Sequence, residues 1–386
     1  MGFEGPTDPA AIRKSPRIIM SRSPLSGKIE SLGPQMTGFQ GWEIPASFGA
    51  LPGNVEAEYW TLKRGAGFLD LSHRGRLLVR GDDAPRFLHG MVTNDVQALK
   101  PGQGHYAFLL NVQGHILADL RILRLDSNSF LLDCEPQSQA VIAQALERHI
   151  IMDVVELDDQ RDRLACIAIE GPHSREILSA LLGGTLDAEL AAMNILDHIY
   201  MEAIAARIVR TSLSGEDGWW ILANPDRAGE LLDRILALRT KDGSAPRPVG
   251  FDALETCRIE RGIPRFGIDI TEKNLPQETG QMHAISFNKG CYTGQEVVER
   301  IRSRGHVNRV LVQLLFEGRQ EVPPGTTILF DGQPAGETGS SAYSFGLNRT
   351  VALGYLRREY ANTGKQVLIG TLRADVAELA APPPIG

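Results

Sequence analysis

Long apolar runs are missing from this sequence. No stretch in its 386 residues approaches the roughly 18 consecutive apolar positions that a membrane-crossing helix needs, so no membrane partner is expected. Cysteine is scarce: Cys134, Cys166, Cys257 and Cys291 lie far apart, with no CxxC pair and no Cys/His cluster. That spacing argues against a structural zinc site or a resident iron–sulfur cluster, and against a disulfide framework. It suits a reducing, cytoplasmic setting. An excess of positive charge is also missing. The formal net charge of -7 argues against a general nucleic-acid binder. Signal-peptide character is absent from the first residues, whose Pro, Gly and charge predict a mobile tail over 1–22, with either Met1 or Met20 as the start.

What remains is an ordinary globular composition, 42% hydrophobic and 23% charged, in a chain too long for one simple core. Two or three domains are expected. "EAEYWTLKRG" (56–65) reads as a short helix stopped by glycine. "GRLLVRG" reads as a strand, and "GHYAFLLNVQGHILADLRILRL" as two strands joined by a turn at Gln113 and Gly114. After the strand "SFLLDCEP", "QSQAVIAQALERHII" has helical spacing. The order strand, helix, strand pair, helix continues through "LACIAIEGP", "HSREILSALLGG", "ARIVRTSLSGEDGWWILANP" and "DRAGELLDRILALR". This is an α+β pattern. From Asn308 onward short strands and turns, "DGQPAG" among them, predict a small β-barrel or sandwich. No repeat of 20–50 residues is evident.

The stretch "NKGCYTGQEVVERIRSRG" (288–305) poses a question. Lys289 beside Cys291, and a helix starting near Thr293, would favour a thiolate and transient thiol or metal chemistry. The same residues also read as a plain helix start. Thr293 would then be the cap, Glu296 would complete a capping box, and Cys291 would be a small packed residue. No catalytic base lies close in sequence; His283 and His306 are the nearest histidines. Arg300, Arg302, Arg304 and Arg309 form either a solvated face or a surface for an anionic partner such as a polyglutamyl tail or RNA.

Several segments together resemble the folate-binding T protein of the glycine cleavage system, an aminomethyltransferase. They are "GFQGWEIPASFG", "RGAGFLDLSHRGRLLVRGDDAPRFLHGMVTNDVQAL", "GHYAFLLNVQGHILADL", "IEGPHS" and "RTSLSGEDGW". Within that superfamily "KGCYTGQEVV", "RIERGIPRFGIDI" and "NLPQETG" resemble the YgfZ folate-binding family, whose members support iron–sulfur enzymes. The resemblance implies a T-protein-like fold of two α+β domains plus a C-terminal β-barrel. The expected layout is a folate-binding domain over 23–160 and 246–305, a second α+β domain over 161–245 and a barrel over 306–386. It also implies tetrahydrofolate, or a one-carbon-substituted tetrahydrofolate, as cofactor, and iron–sulfur assembly or client proteins as partners.

Residue by residue, Asp119 matches the acid that T proteins place beside the folate, with Cys291 and Lys289 as further candidates for chemistry. The family's double Asp is Ala118–Asp119 here. Tyr106 matches the aromatic of the pterin pocket. Arg258 is a candidate for the carboxylates of the folate tail, with Glu216 and Trp220 as further cofactor contacts. Strand alternation lets only one of Trp219 and Trp220 face a pocket. Two positions depart from the T-protein pattern: Leu213 stands where it has Tyr, and Trp220 where it has a pterin-recognising Glu. Three functions follow from this reading. The first is a folate-binding accessory factor for iron–sulfur assembly or repair. The others are a folate-dependent aminomethyl- or methyltransferase and an interaction module with a vestigial cavity.

Overall fold

The computed structural model describes residues 20–49, 54–184 and 187–379, the Arg304 side chain excepted. Most of the expected tail therefore lies outside the described residues. At its end, Ser21 and Arg22 pair in parallel with Trp42 and Glu43.

The first sheet has five antiparallel strands in the spatial order Gly104–Leu110, Ile116–Arg124, Ser129–Cys134, Gly75–Arg80, Glu156–Asp159. Period-two alternation divides its side chains between two environments. Ala118, Leu120 and Ile122 join Leu77, Val79 and Leu132 beneath the helices Ala84–Met91 and Ser138–Glu147, against Phe87, Leu88, Ile142 and Leu146. Asp119 and Arg121 therefore face the other way. Ala118 is fully buried in that helix-facing core, so a second carboxylate at this position would not reach the Asp119 face.

The second sheet is ordered His198–Met201, Ala206–Arg210, Gly218–Ala223, Ala165–Glu170, Gly67–Asp70, Arg247–Pro248. Two of its strands, Gly67–Asp70 and the edge strand Arg247–Pro248, come from outside 161–245, so the expected domain boundary does not follow the hydrogen bonding. Trp219 and Ile221 point to the helices Ser174–Leu181 and Pro225–Ala237. Trp220 and Leu222 point the opposite way, into a seam shared with Leu123 and Leu131 of the first sheet and with Ala253, Leu254 and Cys257. The last three belong to the helix Phe251–Glu260. The two sheets thus turn these faces toward each other, with the helix Phe251–Glu260 packed into the seam between them.

The C-terminal part is a closed barrel of six strands: Arg309–Glu317, Arg349–Arg357, Gln333–Ser344, Thr327–Phe330, Gln366–Ile369 and Leu372–Ala377. It is docked on the helix Phe251–Glu260, whose Ile259 and Glu260 carbonyls accept from Gln313 Nε2 at 2.9 Å each. Fold class and architecture are those implied by the sequence resemblance.

The helix after the cysteine motif runs over Gln295–Arg304, but its start is not the expected one. Gly294 occupies the cap position at φ +82°, and no side chain caps the helix. A Cβ on Gly294 would lie 2.6 Å from the Asn111 carbonyl oxygen. The turn is thus pressed against the hairpin tip where only glycine fits. Gly294→Val should therefore cost about 2–4 kcal/mol. Thr293→Ala should stay within about 0.5 kcal/mol. Thermal or urea unfolding of the two variants checks the contrast, and equal losses would restore Thr293 as the cap.

Candidate functional site

A cavity of about 310 Å³ opens where the two sheets and the end of the helix Phe251–Glu260 converge. The first sheet contributes Tyr106, Asp119 and Arg121 from neighbouring strands, with Glu135 just beyond a third. Tyr106 Oη donates to Asp119 Oδ2 at 2.6 Å. Among the described residues no donor meets Asp119 Oδ1, and that atom is not sealed from the cavity. Burial raises the proton affinity of Asp119, and the Glu135 charge adds to this; Tyr106, Arg121 and Arg74 act against it. Burial also holds the Tyr106 hydroxyl protonated, with the Asp119 charge reinforcing it. The pair is therefore a fixed O–H donor on a carboxylate whose second oxygen remains available.

Beside it, Arg74 bridges Asp133 at 2.7 Å and Glu135 at 2.6 Å. Burial would raise Glu135, but the Arg74 and Arg265 charges outweigh it and hold the carboxyl down at about 2. His283 lies tilted 31° on the Tyr106 ring with centroids 5.4 Å apart. Burial, helped by the Arg121 charge, lowers its imidazole to about 4, so it is neutral at neutral pH.

The opposite wall is the turn between the strands Ala206–Arg210 and Gly218–Ala223. Glu170, fully buried, shapes it by accepting from Leu213 N at 3.0 Å, Ser214 N at 2.9 Å and Ser212 Oγ at 2.8 Å. This presents Leu213, Glu216 and Asp217 to the cavity. Glu216 takes Lys63 and Arg261 at 2.9 Å each, both on Oε1. Arg210 also lines the cavity. Its nearest acid, Asp217, is 3.7 Å away, and its Nε is buried without a partner.

Tyr106, Asp119, Glu216 and Arg258 are thus brought to one cavity, and Trp220, Cys291 and Lys289 are not among its lining residues. Arg258 reaches the cavity wall, but all five of its N–H donors are taken. Nε and Nη2 hold Glu255 at 2.7 and 2.6 Å, Nη1 holds Asp269 at 2.8 Å and the Ile263 carbonyl at 3.0 Å, and Nη2 also holds Ser340 at 2.6 Å. It joins helix, loop and barrel, and has no donor left for a folate carboxylate. Trp220 stays behind the wall, 2% exposed, with the Arg74 and Arg121 guanidinium carbons 5.4 and 5.2 Å from its ring.

Cys291 is exposed, not the small packed residue of the helix-start reading, and it does not line the cavity. Lys289 is turned away from it. Its ammonium donates to the carbonyls of His89, Val92 (2.6 Å) and Asn94 (3.0 Å) at the end of the helix Ala84–Met91. Burial lowers it to about 8. Together with the buried Tyr292, Lys289 anchors the turn and leaves Cys291 outward. Arg121, Arg210, Glu135 and Gln281 line the cavity without having been singled out from the sequence. For Arg121 the signal was present, because it lies two residues from Asp119 on one strand face.

This arrangement, two facing α+β sheets with a barrel closing one side, is the T-protein architecture. The crystal structure of glycine cleavage system aminomethyltransferase T from Bartonella henselae has the same fold. It superposes with a TM-score of 0.83 at 24% identity, covering 94% of this chain and 98% of that one. Residues 25–289 match the GCVT N-terminal domain, and residues 309–384 match the glycine cleavage T-protein C-terminal barrel domain. The chain belongs to the glycine cleavage T-protein family. It is 30% identical over 354 residues to an aminomethyltransferase of Rubrobacter xylanophilus, covering 92% of this chain and 91% of that protein. With one of Streptomyces coelicolor it shares 29% over 352 residues, covering 90% and 92%.

Arg258→Met should destabilise the protein by about 3–5 kcal/mol, because Asp269, fully buried, would lose its cation. Urea unfolding measures this. A variant of unchanged stability but weakened folate binding would return Arg258 to the ligand-binding role.

Proposed function

We propose that the chain binds a reduced folate in the Asp119 cavity and transfers a one-carbon unit there, as an aminomethyltransferase or methyltransferase. The observation that carries this reading is the Asp119 carboxylate, oriented by Tyr106 through Oδ2 and open to the cavity at Oδ1. In aminomethyl transfer a folate nitrogen bonds to the donor's carbon as that carbon's bond to the donor breaks, its electron pair staying on the donor; the nitrogen then loses a proton and the departing amine gains one. A carboxylate of raised proton affinity, shielded from bulk water, can hold that proton and steady the cation formed between the two events. The curated relatives carry the name aminomethyltransferase, which supports the same reading.

Asp119→Asn tests it. The amide oxygen can still accept from Tyr106, and the cost of ionising a buried acid disappears, so stability should hold or rise. Formation of methylene-tetrahydrofolate, with the other glycine-cleavage components and tetrahydrofolate supplied, should fall by about 10²–10⁴-fold. In the wild-type protein activity should fade on acidification above the ordinary carboxylate range, because protonation removes the reactive form. No product from the wild-type protein would overturn transfer, and calorimetry with tetrahydrofolate would show whether binding survives.

A second reading is favoured by one observation outside the cavity. Cys291 stands exposed on a turn fixed by Lys289 and Tyr292, in the segment that resembles the YgfZ family. Leu213 and Trp220, in place of the family's Tyr and Glu, point the same way. In this reading the protein is a cytoplasmic, folate-binding accessory factor for iron–sulfur cluster assembly or repair, and its partners are client or assembly proteins. Cys291→Ala should then fail to restore iron–sulfur enzyme activity in cells lacking the native factor, while unfolding shifts by less than about 0.5 kcal/mol. Full restoration would leave the motif as a helix start.

A further inference from the structure

The resemblance places a pterin-recognising acid where this chain has Trp220, and that indole is sealed in the seam with two arginines on it. A pterin ring presents a donor edge, the N3–H and the 2-amino group of its 2-amino-4-oxopyrimidine, and a buried donor without an acceptor weakens binding strongly. Another acceptor is needed. Asp119 sits at the reactive end, and Glu135 shares its wall and is paired with Arg74 at 2.6 Å. Glu216 stands on the opposite wall. Lys63 and Arg261 both bind its Oε1. Among the described residues no donor meets Oε2, which is not sealed off and borders the cavity.

We infer that Glu216 is the specificity residue of this cavity, with Oε2 accepting from the donor edge of the pyrimidine ring in place of the acid lost at Trp220. The inference rests on the reduced-folate reading. Three features fit it. The carboxylate is held through Oε1 by two cations, Lys63 and Arg261, that do not themselves line the cavity, so it keeps its direction when the cavity is empty. Its chain neighbours are fixed by Glu170, which accepts from the backbone N–H groups of Leu213 and Ser214. It also lines the same cavity as Asp119, from the other sheet. A bicyclic ring spanning the gap would present its reacting nitrogen to one acid and its donor edge to the other.

The experiment compares tetrahydrofolate with its 2-desamino-2-methyl counterpart by calorimetry, on wild-type protein and on Glu216→Gln. The Gln carbonyl can still accept from Lys63 and Arg261, but its NH2 then meets the ligand's own donors. The wild type should prefer tetrahydrofolate by about 10- to 100-fold, and Glu216→Gln should lose that preference and bind tetrahydrofolate correspondingly less tightly. Glu216→Asp, which withdraws the oxygen by one methylene, should lose it too and serves if the first variant does not fold. If Glu216→Gln or Glu216→Asp keeps the full preference, the edge is read elsewhere and the inference falls. If the wild type binds neither compound, the folate reading itself fails and this assignment with it. Binding of both compounds without preference in the wild type overturns only the assignment.

Discussion

The Arg258–Asp269 pair is the interaction on which the three parts of this protein depend. One guanidinium, 2% exposed, spends every donor it has on the helix that carries it, on the loop that follows and on the barrel. Asp269 completes the junction by accepting from Arg265 N at 2.9 Å and Ser340 N at 2.7 Å. Burying these charges would be costly without such full pairing. With it, the loop Ile263–Arg265 is fixed as a cavity wall and the barrel has one seat. The residue that sequence reading assigned to ligand capture is therefore the one that holds the cavity together.

The cavity owes its chemistry to a division of labour within each sheet. Both sheets cover one face with helices and leave the other for the seam. On the covered faces the side chains are apolar, as at Leu120, Ile122, Ile221 and Trp219. In the seam apolar packing gives way to Tyr106, Asp119 and Arg121, whose charges are tempered by each other and by Glu135 and Arg74. The same seam encloses Trp220, where two guanidinium groups rest against an aromatic face. A polar pocket with an oriented, half-shielded carboxylate is what a reaction that moves a proton and a transient cation needs.

The segment 288–305 shows how two readings of one motif can both be incomplete. Its helix was legible, and so was the need for glycine. Its anchor was not. Lys289 reads in sequence as a charge beside a thiol, yet it folds back to cap the end of a helix about 200 residues earlier, at the carbonyls of His89 and Val92. Thr293 and Glu296 fit a capping box by spacing, but Gly294 takes the cap position in a left-handed conformation, and its close approach to Asn111 makes that choice. Both outcomes depend on contacts between segments far apart in the chain.

Periodicity and turn chemistry in the sequence alone were enough for the strands, the helices and the barrel, because those signals are local: alternation around Asp119, glycine at the hairpin tip, apolar spacing in the helices. The family resemblance added the architecture, and Tyr106, Asp119 and Glu216 as candidates. Tertiary structure alone decided which polar residues are free and which are spent. It exchanged the strands Gly67–Asp70 and Arg247–Pro248 into the second sheet, sealed Trp220 behind the wall and turned Cys291 outward. A side chain's availability depends on its non-local partners, and no spacing along the chain records those: Arg258 and Arg121 look alike in sequence, and only packing leaves one saturated and the other beside the cavity.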